Sequence, residues 1–364
     1  MKVVIACGGT GGHAFPGVAV AEEMARRGHD VSLWGSGRDV ETFVVRGWKG
    51  RLFATGARQL KAANLPAMAM SFLRCRREMR REKPDALLAM GSYSSLPPVF
   101  AARSAGVPIV LHEANTVPGR AVEFLSRFAT AVATSFDTTS GYLPGVRTVR
   151  TGLPVREGIA SGRRFPSIPE GAFTVFVTGG SQGAHAVNEL MCDAMALMRQ
   201  CIAERGPGAR PLYVIHQTGM KDEAPVMAAY ARIDQPARVC AFESDMPGAF
   251  ASADIVVARA GASTCFELAA CGKPALLIPL PTSLRDHQHH NAEAFVAAGA
   301  ADEGVQARLS PQSVCRYLMG RYDNQEKLLE MGRRMASLAT PGAAAAVADL
   351  MEGVKRPAVQ VQAI

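Results

Sequence analysis

No two of the eight cysteines stand in a C-x-x-C pair. Free thiols in a reducing cytoplasm are therefore expected. The chain also lacks a leader-like apolar core: after Lys2 only Val3–Cys7 precede the first glycines, too short for a secretory signal. The longest uncharged stretch, 86–102, carries Gly91, Pro97, Pro98 and three serines, so it is not read as a spanning helix. No Gly-Lys-Ser/Thr follows either glycine-rich loop, which rules out a Walker A site. No D-x-D pair closes a strand, so no acidic metal clamp is expected. Negative charge is scarce in one half only. Residues 1–160 hold 21 Lys/Arg against 12 Asp/Glu, whereas 161–364 hold 19 against 20. A basic first half points to an anionic partner such as phosphate, nucleic acid or an acidic membrane surface.

What is present is a repeated α/β pattern. With 364 residues, two domains are the expectation. Strands are expected at Val3–Ala6, Val31–Trp34, Ala86–Met90, Ile109–His112, Ala131–Thr134 and Thr148–Arg150. Helices are expected at Ala14–Arg27, Pro66–Arg81, Leu96–Ala105 and Gly119–Phe128. After a Gly- and Pro-rich linker from Gly152 to Pro169, the pattern restarts. Strand Phe173–Thr178 runs into Gly179-Gly180-Ser181-Gln182-Gly183 and a helix, as Val3–Ala6 ran into Gly8-Gly9-Thr10-Gly11-Gly12 and a helix. Further strands are expected at Leu212–His216, Arg238–Phe242, Asp254–Val257 and Ala275–Pro279. The alternation implies two doubly wound parallel sheets in tandem, with a cleft between them.

Each glycine loop lies between a strand and a helix start, where backbone N–H groups and the helix dipole favour a phosphate. Packing alone is the plain alternative for either loop. Gly9 to Ala14 fits G-x-G-x-x-A, but the second strand ends Leu33-Trp34-Gly35-Ser36-Gly37 without the acid that a dinucleotide's ribose requires. His13 has two open roles: a base for a sugar hydroxyl, or a histidine that orients a phosphate. Glu267, one turn into the helix that starts near Ala262, suits a ribose diol or is a solvated helix glutamate. The segment Asp286-His287-Gln288-His289-His290 resembles a metal cluster but lacks ligand spacing; a loop offering Gln288 to sugar hydroxyls is preferred. In 65–81, Leu65, Met68, Met70, Phe72 and Leu73 alternate with Arg74, Arg76, Arg77, Arg80 and Arg81, a composition that fits either an anionic membrane surface or a packed helix with a basic outer face.

Read in order, GGTGGHAFPG (8–17), GSYSS (91–95), HEANTVPG (112–119), TGLPVR (151–156), GGSQGA (179–184), HQTG (216–219), FESDM (242–246), ARAGASTCFELAACGKPALLIP (258–279) and DHQHHNA (286–292) resemble the motifs of the UDP-N-acetylglucosamine transferases of peptidoglycan synthesis, the MurG family. The resemblance covers nearly the whole chain. It implies the GT-B fold, two Rossmann-like domains facing a cleft. An acceptor- and membrane-binding domain would span 1–157, with a C-terminal helix at about 342–364 packed back on it. A UDP-sugar domain would span 158–341. It implies inverting transfer of N-acetylglucosamine from UDP-N-acetylglucosamine to undecaprenyl-linked lipid I, giving lipid II at the cytoplasmic face of the plasma membrane. No cofactor, metal or nucleic acid is implied.

By the same resemblance, Thr10, Gly11 and Gly12 form the first loop with His13 as base, and Asn115 contacts substrate. Arg156, Ser181, Ala262, Ser263, Thr264, Cys265, Phe266, Glu267 and Gln288 would line the donor pocket. Glu267 would hold the ribose, Ser181 a phosphate and Gln288 the sugar, with Glu243 touching uracil through its backbone. The chain departs from the family pattern at Ser92, Ala114, Val122 and Leu153; amides usual at the last three are absent. The alternatives are a GT-B transferase with another acceptor, a UDP-sugar-binding protein without activity, and a nucleic-acid binder using the basic half, for which the sequence shows no recognition motif.

Overall fold

The computed structural model describes residues 1–9, 11–37 and 47–354. The chain divides into two units, one of Met1–Arg156 together with the chain from Thr340 onward, the other of Glu157–Ala339. In the first unit seven strands form one sheet: β1 (Lys2–Ala6), β2 (Asp30–Gly35), β3 (Arg51–Ala54), β4 (Ala86–Ala89), β5 (Ile109–Glu113), β6 (Ala131–Thr134) and β7 (Thr148–Arg150). They lie in the order β3-β2-β1-β4-β5-β6-β7, and every pairing is parallel. β1 is the pivot: Val3 pairs with Val31 on one side and Ala86 on the other. Helices α1 (Gly11–Arg26), α2 (Leu65–Glu82), α3 (Leu96–Ser104) and α4 (Arg120–Leu125) connect the strands. Because helices cover both sheet faces, β4 is buried at all four positions and is apolar throughout rather than alternating.

The second unit repeats the plan with six parallel strands: β8 (Phe173–Thr178), β9 (Leu212–Gln217), β10 (Ala237–Cys240), β11 (Ile255–Ala258), β12 (Ala275–Leu277) and β13 (Ala301–Glu303). Their order is β10-β9-β8-β11-β12-β13, the doubly wound order in which direction reverses beside the first strand. Its helices are α5 (His185–Ala203), α6 (Glu223–Arg232), α7 (Met246–Ser252), α8 (Ala262–Cys271), α9 (His287–Ala297), α10 (Pro311–Tyr322) and α11 (Gln325–Ser337). The last helix, α12 (Ala343–Gly353), returns to the first unit. Arg27 donates to Asp349 at 2.6 Å, and His29 bonds Glu352 at 2.7 Å. Val347, Ala348 and Met351 enter the core beside Val3, Ile5 and Val20.

Two edge strands escape the sequence pattern. β3 is four residues long and largely exposed. β13 reads Ala-Asp-Glu. Short, charged edges blunt strand addition, and the same traits erase the apolar signal that marks central strands.

Candidate functional site

The order reversal puts one crevice in each sheet, between β1 and β4 in the first and between β8 and β11 in the second. Ligands of open parallel sheets bind at such switch points, beyond the carboxyl ends of the strands. The two glycine-rich loops, after β1 and β8, fall there, as do the glycine turns after β4 and β11.

In the first unit, Gly9 has φ +115°, and a Cβ on it would meet Ser92 Oγ at 2.7 Å. The loop after β1 thus abuts the turn after β4, which Ser94 ties by donating to the Gly8 carbonyl at 2.6 Å and Ser95 by donating to Gly91. Ser92 holds φ +70°, a strained angle for a side-chain-bearing residue. A Cβ on Gly91 would meet Val122 Cγ2 at 3.2 Å and His13 Cδ2 at 3.6 Å. His13, half-buried on the first turn of α1, therefore stands against a wall of Gly91 and the buried Val122. Thr10 lies outside the described residues; Gly11 is buried and Gly12 exposed.

His112 is fully enclosed. Its Nε2–H donates to the Gly152 carbonyl at 3.3 Å, and its Nδ1 is buried without a hydrogen-bond partner. Burial, with the nearby His13 adding to it, pushes its pKa down to about 4, so the ring is neutral at pH 7. Glu113 organises the next turn. Its carboxylate accepts from the N–H of Asn115 at 2.9 Å, from Asn115 Nδ2 at 3.0 Å and from the N–H of Gly119 at 2.9 Å. Burial pushes this carboxyl up against the pull of those donors. Asn115, expected at the substrate, gives one amide N–H to this turn. Arg156, expected in the donor pocket, lies at the end of the first unit with its guanidinium 4.3 Å above the Phe15 ring. Leu153 is fully buried.

In the second unit, Gly180 (φ +81°) and Gly183 (φ +71°) bend the loop after β8. A Cβ on Gly183 would fall 2.0 Å from the Thr218 carbonyl oxygen, so backbone meets backbone and only glycine fits. Ser181 is exposed at the tip. The loop opens onto α5, whose N-cap Ala184 has no side-chain acceptor, leaving helix-end N–H groups for an anion. Beyond β11, Gly261 caps α8, again with no side-chain acceptor. Ala262 is buried, whereas Ser263 and Thr264 are half-buried. Glu267 is 7% exposed, one turn further in.

Side chains of two positions expected in the pocket face the core instead. Cys265 is 0% exposed, with burial pushing its thiol up to about 12, and Phe266 packs edge-on against Phe295 at 5.9 Å. The Glu243 side chain is likewise committed. Arg238 grips its carboxylate at 2.7 and 3.1 Å, and the Asp245 N–H adds a bond at 2.9 Å. Burial alone would raise this carboxyl, but those donors outweigh it and hold it below the usual range. The Glu243 N–H donates to Gln217 Oε1 at 3.0 Å, so of its polar groups the backbone carbonyl remains for a base.

Gln288 accepts from the Leu280 N–H at 3.0 Å, which leaves its NH2 as the end to offer a sugar. Before it, Arg285 and Asp286 hold φ +54° and +53° in succession, costing roughly 1–3 kcal/mol each. His289 bonds Glu303 at 2.6 Å and His290 bonds Glu293 at 3.3 Å, as separate pairs. Among the described residues no group of three or more His, Cys, Asp or Glu is placed to hold a metal ion.

Several supporting residues were not foreseen. Arg259, buried, donates to the carbonyls of Ile278 and Pro279 and to Gln306. Asn291, fully buried, donates to the Ala260 carbonyl at 3.2 Å. His216, Gln217 and Asn188 hold the loop after β8 from beneath. The available signal was polarity out of place: His216 and Gln217 end a strand that is otherwise Leu-Tyr-Val-Ile, and Asn188 sits on the buried face of α5.

Residues 3–134 match the glycosyltransferase family 28 N-terminal domain, and residues 174–351 match its C-terminal domain. The UDP-N-acetylglucosamine--N-acetylmuramyl-(pentapeptide) pyrophosphoryl-undecaprenol N-acetylglucosamine transferase of Trichlorobacter lovleyi is 35% identical, over 98% of this chain and 99% of its own. The protein of the same name from Brucella abortus is 35% identical, over 97% of this chain and 94% of its own. The crystal structure of Acinetobacter baumannii MurG superposes with a TM-score of 0.75 at 27% identity, covering 97% of this chain and 99% of that one. Fold, paired switch-point loops and near-full-length identity converge: the chain belongs to glycosyltransferase family 28, in the family of N-acetylglucosaminyltransferases that act on pyrophosphoryl-undecaprenol N-acetylmuramyl-pentapeptide.

Proposed function

We propose that this protein transfers N-acetylglucosamine from UDP-N-acetylglucosamine to lipid I, with inversion at the anomeric carbon, working peripherally at the cytoplasmic face of the plasma membrane. The observation that carries the reading is the pair of glycine loops, one at each sheet's switch point and each opening onto a helix start. The acceptor hydroxyl attacks the anomeric carbon as the bond to UDP breaks. His13 takes the hydroxyl proton. The half-buried imidazole beside Gly91 and Val122 suits that task, because a general base must be reachable yet shielded. Negative charge grows on the departing diphosphate, and the loop at 179–184 with the start of α5 answers it with N–H groups and the dipole. Glu267 holds the ribose, Ser181 a phosphate, and the Gln288 NH2 the sugar.

The first unit also carries the membrane contact. Leu65, Met70, Leu73 and Phe124 are exposed to between 43% and 58%, and the same unit holds an apolar groove of about 900 Å³. Met68, Phe72, Phe100 and Phe124 line this groove, with Arg103 among them. Arg74, Arg77, Arg80 and Arg81 are exposed on the same helix, α2. Among the described residues no helix is long and apolar enough to cross a membrane. Attachment is assigned to this surface for its exposed apolar side chains and arginines. Turnover of radiolabelled UDP-N-acetylglucosamine onto a lipid I analogue tests the reading; absence of labelled product from folded enzyme overturns it. Because helix ends rather than a cation are assigned to the leaving UDP, the rate is expected to withstand EDTA. A loss that added metal restores would defeat that assignment.

A further inference from the structure

Gln217 ends β9, is 3% exposed and has every polar atom of its side chain engaged. Its Nε2 donates to Thr178 Oγ1 at 3.2 Å and to the Gly180 carbonyl at 2.9 Å. Its Oε1 accepts from the Glu243 N–H at 3.0 Å. Thr178 Oγ1 in turn accepts from the Gly180 N–H at 3.1 Å. One carboxamide therefore joins two loops far apart in sequence: the phosphate loop after β8 and the loop after β10. The residue that follows continues the brace, because Thr218 lies directly beneath Gly183, and Gly219 approaches the Gln182 carbonyl so closely that a Cβ would stand 2.6 Å from it.

We propose that Gln217 is a positioning residue that locks the diphosphate loop and the base-facing loop into one spacing, so that the nucleoside and β-phosphate ends of UDP are recognised as a unit. This rests on the donor reading given above. Gln217 touches no ligand itself; it acts through Gly180 and Glu243. A glutamine fits the task because a carboxamide supplies a donor and an acceptor on one planar group. An apolar residue of the same length fills the space but leaves the Glu243 N–H without its acceptor and the Gly180 carbonyl with the Gly183 N–H alone.

The test uses calorimetry with UDP and with uridine on the full-length chain, together with steady-state kinetics. In Gln217→Met, both ligands weaken and the UDP-to-uridine affinity ratio falls by about tenfold, the scale of one or two hydrogen bonds. The KM for UDP-N-acetylglucosamine rises by a similar factor while kcat changes less than about threefold. Thr178→Val removes the acceptor shared by Gly180 and Gln217 but leaves the Glu243 bond. It lowers UDP affinity and spares uridine, and it stands in if Gln217→Met does not fold. An unchanged UDP-to-uridine ratio in folded variants overturns the proposal, including the case in which both ligands weaken equally. Wild-type protein that fails to prefer UDP over ADP would instead sink the donor assignment itself.

Discussion

The two switch points use one topology but are finished differently. In the second unit the polar network under the phosphate loop closes on itself. His216 accepts from the Tyr230 hydroxyl at 2.9 Å and donates to Asn188 Oδ1 at 3.1 Å, while Asn188 donates to the Thr218 carbonyl at 2.9 Å. In the first unit the matching layer is left open. His112 spends one nitrogen on Gly152 and buries the other unpaired, and the wall beside His13 is the apolar Val122. A satisfied buried network fixes a single geometry, whereas an orphaned atom stores roughly 1–3 kcal/mol. On the function proposed above, the difference is a division of labour: one loop grips a ligand of fixed shape, the other sets the His13 ring beside the reacting group.

The sharpest way to break this comparison is His13→Ala. Loss of a general base lowers kcat by about 10²–10⁴. A variant with near-normal kcat and a raised acceptor KM would make His13 a positioning group and remove the distinction between the two loops.

Acid comes next, because each unit hides one neutral imidazole. Burial pushes His112 down to about 4; it pushes His216 down to about 3, against a small upward pull from Asp222. Both folded values lie below the unfolded value of about 6.5, so the unfolded chain binds these protons first. Their stabilising contribution is complete above pH 6.5 and is lost as pH falls toward 4 and 3. Within that window each group gives a slope of about 1.4 kcal/mol per pH unit. Urea unfolding at pH 7, 6, 5 and 4 should show it, with a transition that shifts less with acid in His216→Gln. Stability that stays flat down to pH 4.5 would mean that both rings are hydrated in the folded protein.

Glu267→Ala sharpens the gripping side. Removing two charge-assisted bonds to a ribose raises the donor KM by tenfold or more, with a smaller change in kcat. An unchanged KM takes Glu267 out of the pocket.

How much of this was legible in the sequence follows from where the signals come from. Strands such as Phe173–Thr178 and Ala131–Thr134 appear with the expected bounds because burial at every position leaves only apolar residues and threonine in them. The edges β3 and β13 do not, since exposure removes that signal. The glycine loops were readable because close backbone approach leaves a residue-type signature. The directions of side chains were not: nothing local says that Cys265 and Phe266 turn inward, or that the Glu243 carboxylate is already held by Arg238. Gln217 was quoted within a motif, yet its partners Gly180 and Glu243 lie 37 and 26 residues away, and only the fold joins them.

The smallest expected effect concerns the surface of the first unit, the half that carries the excess positive charge. The composition of 65–81 left two readings open, a membrane-facing segment and a packed helix with a basic outer face, and α2 has features of both. It buries Met68, Cys75 and Met79 while exposing Leu65, Met70 and Leu73. Its arginines are not equivalent, since Arg81 pairs with Glu78, whereas Arg74 and Arg77 are exposed with no acidic partner on α2. Each cation near an anionic leaflet contributes about 1 kcal/mol, and the effect fades with salt. Replacing Arg74, Arg76 and Arg77 with Gln should therefore weaken binding to anionic liposomes by about tenfold or more at low salt. Turnover of a water-soluble acceptor analogue should stay unchanged, because the crevice between β1 and β4 is untouched. Sedimentation with vesicles of graded phosphatidylglycerol content measures the first, and the soluble assay measures the second. Equal binding to neutral and anionic vesicles, or a triple variant that binds like the parent, would mean that α2 does not carry the membrane contact. The proposal that the half holding His13 is also the half that meets the bilayer would then fall.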